Sequence, residues 1–241
     1  MRALQVAFHG TVILVLTVAV GCGNTSALPE ATPTAASVPA TAPADQPTAT
    51  AASTSTPAIP EQAAVPDVVV YMSELPESAI FELRVVEDPV AAGGKLLGLN
   101  NNGDELDPPP ENDPHVIFTA TVAQGVPYRC WVHMKVGAPK GKSQANVVWV
   151  QFSDAVDQAK NTIFVPGSGD YLTAQGPTQE GWVWVACNLK DTAPAPALVQ
   201  FQKSDITIRI QAGMEGVGFD QILLSAARFL ESPPAEAIVA K

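Results

Sequence analysis

Short apolar runs with the character of β-strands follow one another along most of this chain, and Gly and Pro residues separate them. The first run is 68–71, and the clearest of those that follow are 81–86, 95–99, 116–122, 128–135, 147–152, 182–187, 198–201, 206–211 and 219–224. No run of helical period competes with these strands. Many short strands joined by turn-rich loops are typical of a β-sandwich or barrel. The sequence therefore predicts an all-β domain.

The alternation of residue types along a strand predicts which face points into the core, because successive side chains point to opposite faces. The inward positions of three strands are Tyr128, Cys130, Val132 and Met134, then Val148, Val150 and Phe152, and then Val183, Val185 and Cys187. All four tryptophans have the opposite parity, and they are Trp131, Trp149, Trp182 and Trp184. We therefore expect the tryptophans to lie outside the core.

The stretch 205–225 combines two alternating strands with a Gly-rich turn and two acids, Glu215 and Asp220. Asp220 stands among apolar neighbours, and a buried carboxylate is costly unless it is hydrogen-bonded, paired or bound to a metal. This hairpin therefore indicates an ion site or a functional rim. In the alternative interpretation, Asp220 caps a turn by accepting hydrogen bonds from local N–H groups.

The first 22 residues have the features of an export signal. Arg2 precedes an apolar run over about 11–20, which is too short for a comfortable membrane span. The order Ala19-Val20-Gly21-Cys22 resembles a bacterial lipobox, in which the cysteine is acylated and becomes the first mature residue. We therefore expect a lipoprotein signal peptide over 1–22. The alternatives are a plain secretory signal and an uncleaved anchor.

The next segment, 23–66, consists almost wholly of Ala, Thr, Pro and Ser and has no apolar periodicity. Such a composition predicts a disordered linker, because it offers no side chains that could anchor a core. The expected β-sandwich then occupies 67–231. The tail 232–241 is expected to be a short helix or disordered.

Charge and residue usage exclude some classes of partner. A formal net charge of −11 argues against nucleic acid, because phosphate binding needs clustered Lys and Arg. Beyond the signal the histidines are His115 and His133, and no His/Cys cluster has zinc-ligand spacing. Assigning Cys22 to the lipid leaves Cys130 and Cys187, which form either a disulfide or two buried unpaired thiols.

Several segments together resemble the galactose-binding-like jelly roll of the family 6 and family 35 carbohydrate-binding modules. In chain order they are Tyr71-Met72-Ser73-Glu74, Ala91-Ala92-Gly93-Gly94-Lys95, Pro127-Tyr128-Arg129-Cys130-Trp131-Val132, Val147-Val148-Trp149-Val150-Gln151-Phe152 and Gly216-Val217-Gly218-Phe219-Asp220-Gln221-Ile222. The resemblance covers about 67–230 and implies a jelly-roll β-sandwich.

The resemblance also implies a structural calcium ion. In these modules the ion usually lies between acids of the first strand and the Asp of the last strand, and Glu74 and Asp220 hold those positions here. The commoner first-strand pattern has a second Glu two residues earlier, where this chain has Met72. Calcium takes six to eight oxygen ligands, many of them main-chain carbonyls, so two carboxylates can suffice.

A sugar ligand needs an apolar platform for its C–H face and a few polar groups for its hydroxyls. The four tryptophans meet the first requirement, and the polar side chains near them by parity are Arg129, His133, Gln151 and Arg209. If the tryptophan face is covered, the site moves to the loop rim. The candidates there are Asn100, Asn101, Asn102, Lys140, Lys142, Gln144, Asn146 and Tyr171.

Together these observations predict a non-catalytic module that binds a poly- or oligosaccharide. We expect an exported monomer that contacts a bacterial membrane only through its lipid anchor, in the periplasm or at the cell surface. The first alternative is an adhesion or envelope protein that grips a protein partner with the same face. The second is a glycan-active hydrolase that uses Glu215 and Asp220 as its pair of carboxylates.

Overall fold

The computed structural model of this chain describes residues 65–100, 105–137, 146–157, 159–190 and 197–241. The expected signal peptide with Cys22 and nearly all of the linker lie outside these residues. So do five of the rim candidates, namely Asn101, Asn102, Lys140, Lys142 and Gln144.

Antiparallel β-strands make up nearly half of the described residues and are the dominant regular structure. They are β1 (Val68–Tyr71), β2 (Ile80–Phe81), β3 (Arg84–Glu87), β4 (Lys95–Gly98), β5 (His115–Thr121), β6 (Tyr128–Val136), β7 (Val147–Phe152), β8 (Ala155–Val156), β9 (Leu172–Gln175), β10 (Gly181–Leu189), β11 (Leu198–Phe201), β12 (Asp205–Ala212) and β13 (Gly218–Ser225). Three short 3-10 helices span Met72–Glu74, Glu77–Ala79 and Ala92–Gly94. No helix among the described residues is long and apolar enough to cross a membrane.

The strands form a curled sheet whose two halves pack face to face. One half runs β3-β4-β13-β6-β10, with β1 also paired to β13, and the other runs β2-β5-β12-β7-β9. Strand β10 joins them, because its first residues pair with β6 and its last three pair with β9. Strand β11 pairs with both β6 and β8. The all-β sandwich is therefore confirmed.

The core lies between the two halves and contains the residues that alternation places inward. These are Tyr128, Cys130, Val132 and Met134 on β6, Val148, Val150 and Phe152 on β7, and Val185 and Cys187 on β10. The four tryptophans lie outside this core. Met72, which stands where the modules that the sequence resembles more often have Glu, is buried in the core.

A β-bulge explains the acid in the last strand. Phe219 and Ile222 both face the core although they are three residues apart, which regular alternation does not allow. The register of β13 against β6 shifts between Phe219 and Gln221, and such a shift inserts one extra residue. Asp220 occupies this position and bonds to the outward-facing His133.

Two features differ from the sequence prediction. The run 81–86, expected to be one strand, is divided between β2 and β3, which belong to opposite halves of the sandwich. Glu82 lies between them with a left-handed φ of 61°, and this conformation interrupts a strand. The tail is no helix. It covers the outer face of the first half, where Phe229 and Val239 are buried beside Trp131, Trp184 and Leu223.

Candidate functional site

The C-terminal strap, residues 226–241, is fastened to the outer face of the β6–β10–β13 half by side chains beneath it. Trp131 Nε1 donates a hydrogen bond to the carbonyl oxygen of Phe229 at 2.8 Å, and Trp184 Nε1 donates to that of Glu236 at 2.9 Å. Gln221 Nε2 donates to the carbonyl oxygen of Val239 at 2.8 Å. The strap thereby satisfies three polar groups of that face.

The strap closes most of the expected tryptophan platform. Trp131 is 5% exposed and Trp184 is 9% exposed. Arg129 is also buried and lies over the Trp131 ring, with its Cζ atom 5.1 Å from the ring centroid. Burial lowers the pKa of Arg129. The expectation of an open platform is therefore corrected for Trp131, which the strap covers, and Trp184 keeps only a small exposed fraction.

The tryptophan of the other half is covered as well. Trp149 packs with Val147 and Tyr171, and all three are buried. Gln151 Nε2 donates to the carbonyl oxygens of Val165, Ser168 and Asp170, which holds that loop over the strand. Two of the rim candidates, Tyr171 and Asn146, are thus buried rather than open. Asn146 Nδ2 donates to the carbonyl oxygen of Pro177 at 3.0 Å.

Trp182 is the exception among the tryptophans, since its side chain is only half-buried. It lines a groove of about 310 Å³ whose other walls are His133, Val183, Trp184 and strap residues 233–237. We call this the Trp182 groove. The rings of Trp182 and His133 stack at 4.7 Å with an interplanar angle of 19°. Three of the aromatic residues selected from the sequence are thus brought to one surface groove.

A second groove of about 250 Å³ meets Trp182 from the loop side and is lined by Pro177, Gln179, Glu180, Gly181 and Val183. Gln179 and Glu180 are exposed there. On the sheet, Lys135 Nζ lies 6.0 Å from the centroid of the Trp182 ring. One exposed aromatic ring is therefore surrounded by amide, carboxylate and ammonium groups.

An ion pair fixes the lysine of this site. Lys135 Nζ donates to Asp88 Oδ2 at 2.7 Å, and the main-chain N–H of Val90 donates to Asp88 Oδ1 at 2.9 Å. The hydrogen bond from Lys135, followed by that from Val90, lowers the pKa of Asp88 below its ordinary value of 3.8. The carboxylate therefore stays charged in all but strongly acidic conditions.

Asp220 supports the Trp182 groove from within the protein. Its Oδ1 atom lies 2.7 Å from His133 Nδ1, and its Oδ2 atom accepts a hydrogen bond from the N–H of Ala92 at 2.6 Å. Both Asp220 and His133 are buried. A carboxylate only accepts hydrogen bonds, so His133 Nδ1 carries the proton of this contact. The pair fixes the orientation of the His133 ring against which Trp182 stacks.

Glu74 and Asp220, the two expected calcium ligands, each have other partners in the structure. The partners of Asp220 are hydrogen-bond donors, whereas calcium needs oxygen ligands. Glu74 is exposed and pairs with Lys241 at the end of the strap. No group of three or more His, Cys, Asp or Glu side chains within the described ranges is arranged to hold a metal. Calcium therefore stays a prediction.

Cys130 and Cys187 lie together in the core. Both are buried free thiols, with their Sγ atoms 2.7 Å apart. Burial, and then the hydrogen bond with Cys187, raises the pKa of Cys130 well above its ordinary value of 9.0. The sequence placed the two cysteines on one inward face, and the structure brings them into contact.

Some site features could not be selected from the sequence. The strap carries Glu236 to the Trp182 groove, but its Pro- and Ala-rich sequence has no period that indicates where it packs. Its large apolar residues are the pairs Phe229-Leu230 and Ile238-Val239, and two short pairs do not identify a covering segment. Gln179 and Glu180 directly precede Gly181 and Trp182 in the chain. Their proximity to the tryptophan could therefore be predicted from the sequence.

Known proteins resemble this chain in structure rather than in sequence. No family model and no curated protein matches the chain. Similar solved structures include a GH26-CBM35 mannanase of Podospora anserina, with 14% identity over 70% of this chain and 29% of that one and a TM-score of 0.41. A family 35 carbohydrate-binding module from Clostridium thermocellum has 14% identity over 66% of this chain and 98% of that one, with a TM-score of 0.36.

A third similar structure is the C-terminal family 6 module of the laminarinase LamC from Zobellia galactanivorans. It has 8% identity over 66% of this chain and 99% of that one, and a TM-score of 0.41. Modules of the two families that the sequence resembles are thus among the similar structures. This chain spans less than a third of the mannanase chain. Matches this distant carry no functional inference of their own.

Proposed function

We propose that this chain is a non-catalytic carbohydrate-binding protein and that the Trp182 groove is its binding site. The single observation that carries the proposal is the partly exposed Trp182 ring at the junction of two grooves. An aromatic face of this kind offers a platform to the C–H face of a sugar. The surrounding polar groups offer partners to its hydroxyls.

Each neighbour of the ring has a distinct role in this proposal. His133 stacks on Trp182, and the bond to Asp220 holds that stack in place before any ligand arrives. Preorganisation of this kind lowers the entropy lost on binding. Glu180 and Gln179 on the loop side, with Lys135 on the sheet, then provide hydrogen-bond donors and acceptors.

The location of Asp220 disfavours the alternative of a hydrolase. A glycosidase needs two carboxyl groups that face one cleft across the scissile bond. The side chain of Asp220 is fully buried and engaged with His133 and Ala92, so it is not available as a partner for Glu215.

The experiment is a glycan array with the full chain, followed by calorimetric titration of the strongest ligand. We expect Trp182→Ala to weaken binding by about 10- to 100-fold, which corresponds to about 1.4–2.8 kcal/mol. Trp149→Phe, on the other half of the sandwich, is the matched control and should bind normally. Failure to bind any polysaccharide, acidic ones included, together with recovery of a protein partner by pull-down, would favour the adhesion alternative.

We further propose that the protein is exported and anchored through a lipid on Cys22. The lipobox-like order before Cys22 supports this, and the long Ala/Thr/Pro/Ser linker would then hold the β-sandwich clear of a membrane. Mass spectrometry of the mature N-terminus tests it. An acylated Cys22 is expected, and Cys22→Ser should remain unacylated and leave the membrane fraction.

A further inference from the structure

A separate groove lies at the edge of the second half of the sandwich, where β2 ends. It has a volume of about 280 Å³ and is lined by Ile80, Phe81, Glu82, Asn112, Asp113 and Pro114. None of these residues lines the Trp182 groove. Glu82 adopts a φ of 61°, which is uncommon for a residue with a side chain and is a reason to look for function. We call this the Phe81 groove.

The floor of the Phe81 groove is an aromatic platform held in a fixed orientation. Phe81 is 43% exposed, a large fraction for a phenylalanine. Its ring stacks on His115 with centroids 4.7 Å apart and an interplanar angle of 12°. His115 is buried, and its Nδ1 atom lies 2.9 Å from the carbonyl oxygen of Asp113. The exposed face of Phe81 is thus available to a ligand without rearrangement.

The charge of the Phe81 groove is negative. Two carboxylates, Glu82 and Asp113, line it, and no Lys or Arg of the described ranges forms an ion pair with either. Burial lowers the pKa of His115 below its ordinary value of 6.5, so this imidazole is neutral at pH 7 and does not repel a cation.

One buried cation lies nearby but does not neutralise the groove. Burial lowers the pKa of Arg209, and the charge of Asp113 raises it in part. Arg209 donates its hydrogen bonds to Gln151 Oε1 and to the carbonyl oxygen of Glu111 instead. Asp113 also accepts a hydrogen bond from the N–H of Asp107. Glu82 is therefore the carboxylate left for a ligand.

We propose that the Phe81 groove binds an amino sugar, such as an oligomer of glucosamine, whose ring carries an ammonium group and presents a C–H face to Phe81. A cation placed over an aromatic face is attracted by the ring quadrupole, and Glu82 supplies a charged hydrogen-bond acceptor beside it. The net charge of −11 favours the approach of cations over anions. The Phe81 groove shares no lining residue with the Trp182 groove, so this proposal is independent of the proposed function.

The test is calorimetric titration of the full chain with a β-1,4-linked glucosamine tetramer and with its fully N-acetylated form. Acetylation removes the positive charge but keeps the ring and the linkage. We expect the glucosamine tetramer to bind at least 10-fold more tightly. We also expect Phe81→Ala and Glu82→Gln each to weaken that binding by 10-fold or more.

Glu87→Gln is the matched control, because Glu87 is an exposed acid on β3, the next strand along the chain, in the other half of the sandwich. A general attraction between an acidic protein and a polycation would make Glu87→Gln as harmful as Glu82→Gln, and that result would overturn the proposal. Equal binding of the acetylated tetramer, or binding that only Trp182→Ala removes, would also overturn it. Since Glu82→Gln keeps the length of the side chain, loss of binding without loss of thermal stability supports the site.

Discussion

Removal of the Asp220 carboxylate gives the sharpest test of how the Trp182 groove is supported. Asp220→Ala leaves two buried donors, His133 Nδ1 and the N–H of Ala92, without their partner. Each buried unsatisfied group costs about 1–3 kcal/mol, and this substitution leaves two of them. We therefore expect the free energy of unfolding to fall by about 2–6 kcal/mol, or by about 4–24 °C in melting temperature at 2–4 °C per kcal/mol.

The assay is urea unfolding followed by tryptophan fluorescence, on wild type and on Asp220→Ala. Asp220→Asn is the matched variant and should lose less, because its amide oxygen still accepts one hydrogen bond. A loss below about 1 kcal/mol for Asp220→Ala would refute the reasoning, because a surface substitution away from any contact has an effect of that order. Repeating the series in calcium and in chelator also tests the calcium prediction, since an ion held by Asp220 would stabilise wild type alone.

Three other predictions concern the strap, the cysteines and the response to acid. Val239→Ala should lower the free energy of unfolding by about 2 kcal/mol, because Val239 is 2% exposed. The larger truncation Ile238→Ala should change it by under about 0.5 kcal/mol, because Ile238 is 38% exposed. Equal losses of the two variants in urea unfolding would argue against the packing of the strap. Thiol titration in denaturant should find Cys130 and Cys187 joined by a disulfide in protein from an oxidising compartment, and as free thiols after reduction. Two free thiols in both samples would contradict this. The lowered pKa of Asp88 means that its carboxylate stabilises the fold above pH 3.8, and this stabilisation is lost as the pH falls through the folded pKa. The melting temperature of Asp88→Asn should therefore decline less below pH 3.8 than that of wild type. Parallel curves for the two proteins would refute the role of this ion pair.

The strands could be predicted from the sequence because their signal is local. Alternation correctly assigns every second residue of 128–134 and of 148–152 to the core, since each inward position carries an apolar residue. The division of 81–86 was missed because Phe81 and Val85 are apolar yet exposed, and the alternation of residues does not reveal the φ of Glu82.

The candidate site was harder to predict, because burial of an outer face depends on distant segments. Parity placed Trp131, Trp182 and Trp184 on one face, but whether each is open depends on the strap more than 40 residues away along the chain. In the same way, Asp220 meets Ala92 across 128 positions of sequence. Residue type identified the aromatic residues, and only the tertiary structure distinguishes the open one from the covered ones.

The most direct test of the account is an NMR titration that follows the indole N–H signals of the four tryptophans while the best glycan from the array is added. The account predicts that the Trp182 signal shifts most, with a smaller change at Trp184 beneath the same groove and no change at Trp149. A ligand that shifts Trp149 alone, or that leaves all four signals in place while it binds, would contradict the assignment of the Trp182 groove as the carbohydrate site.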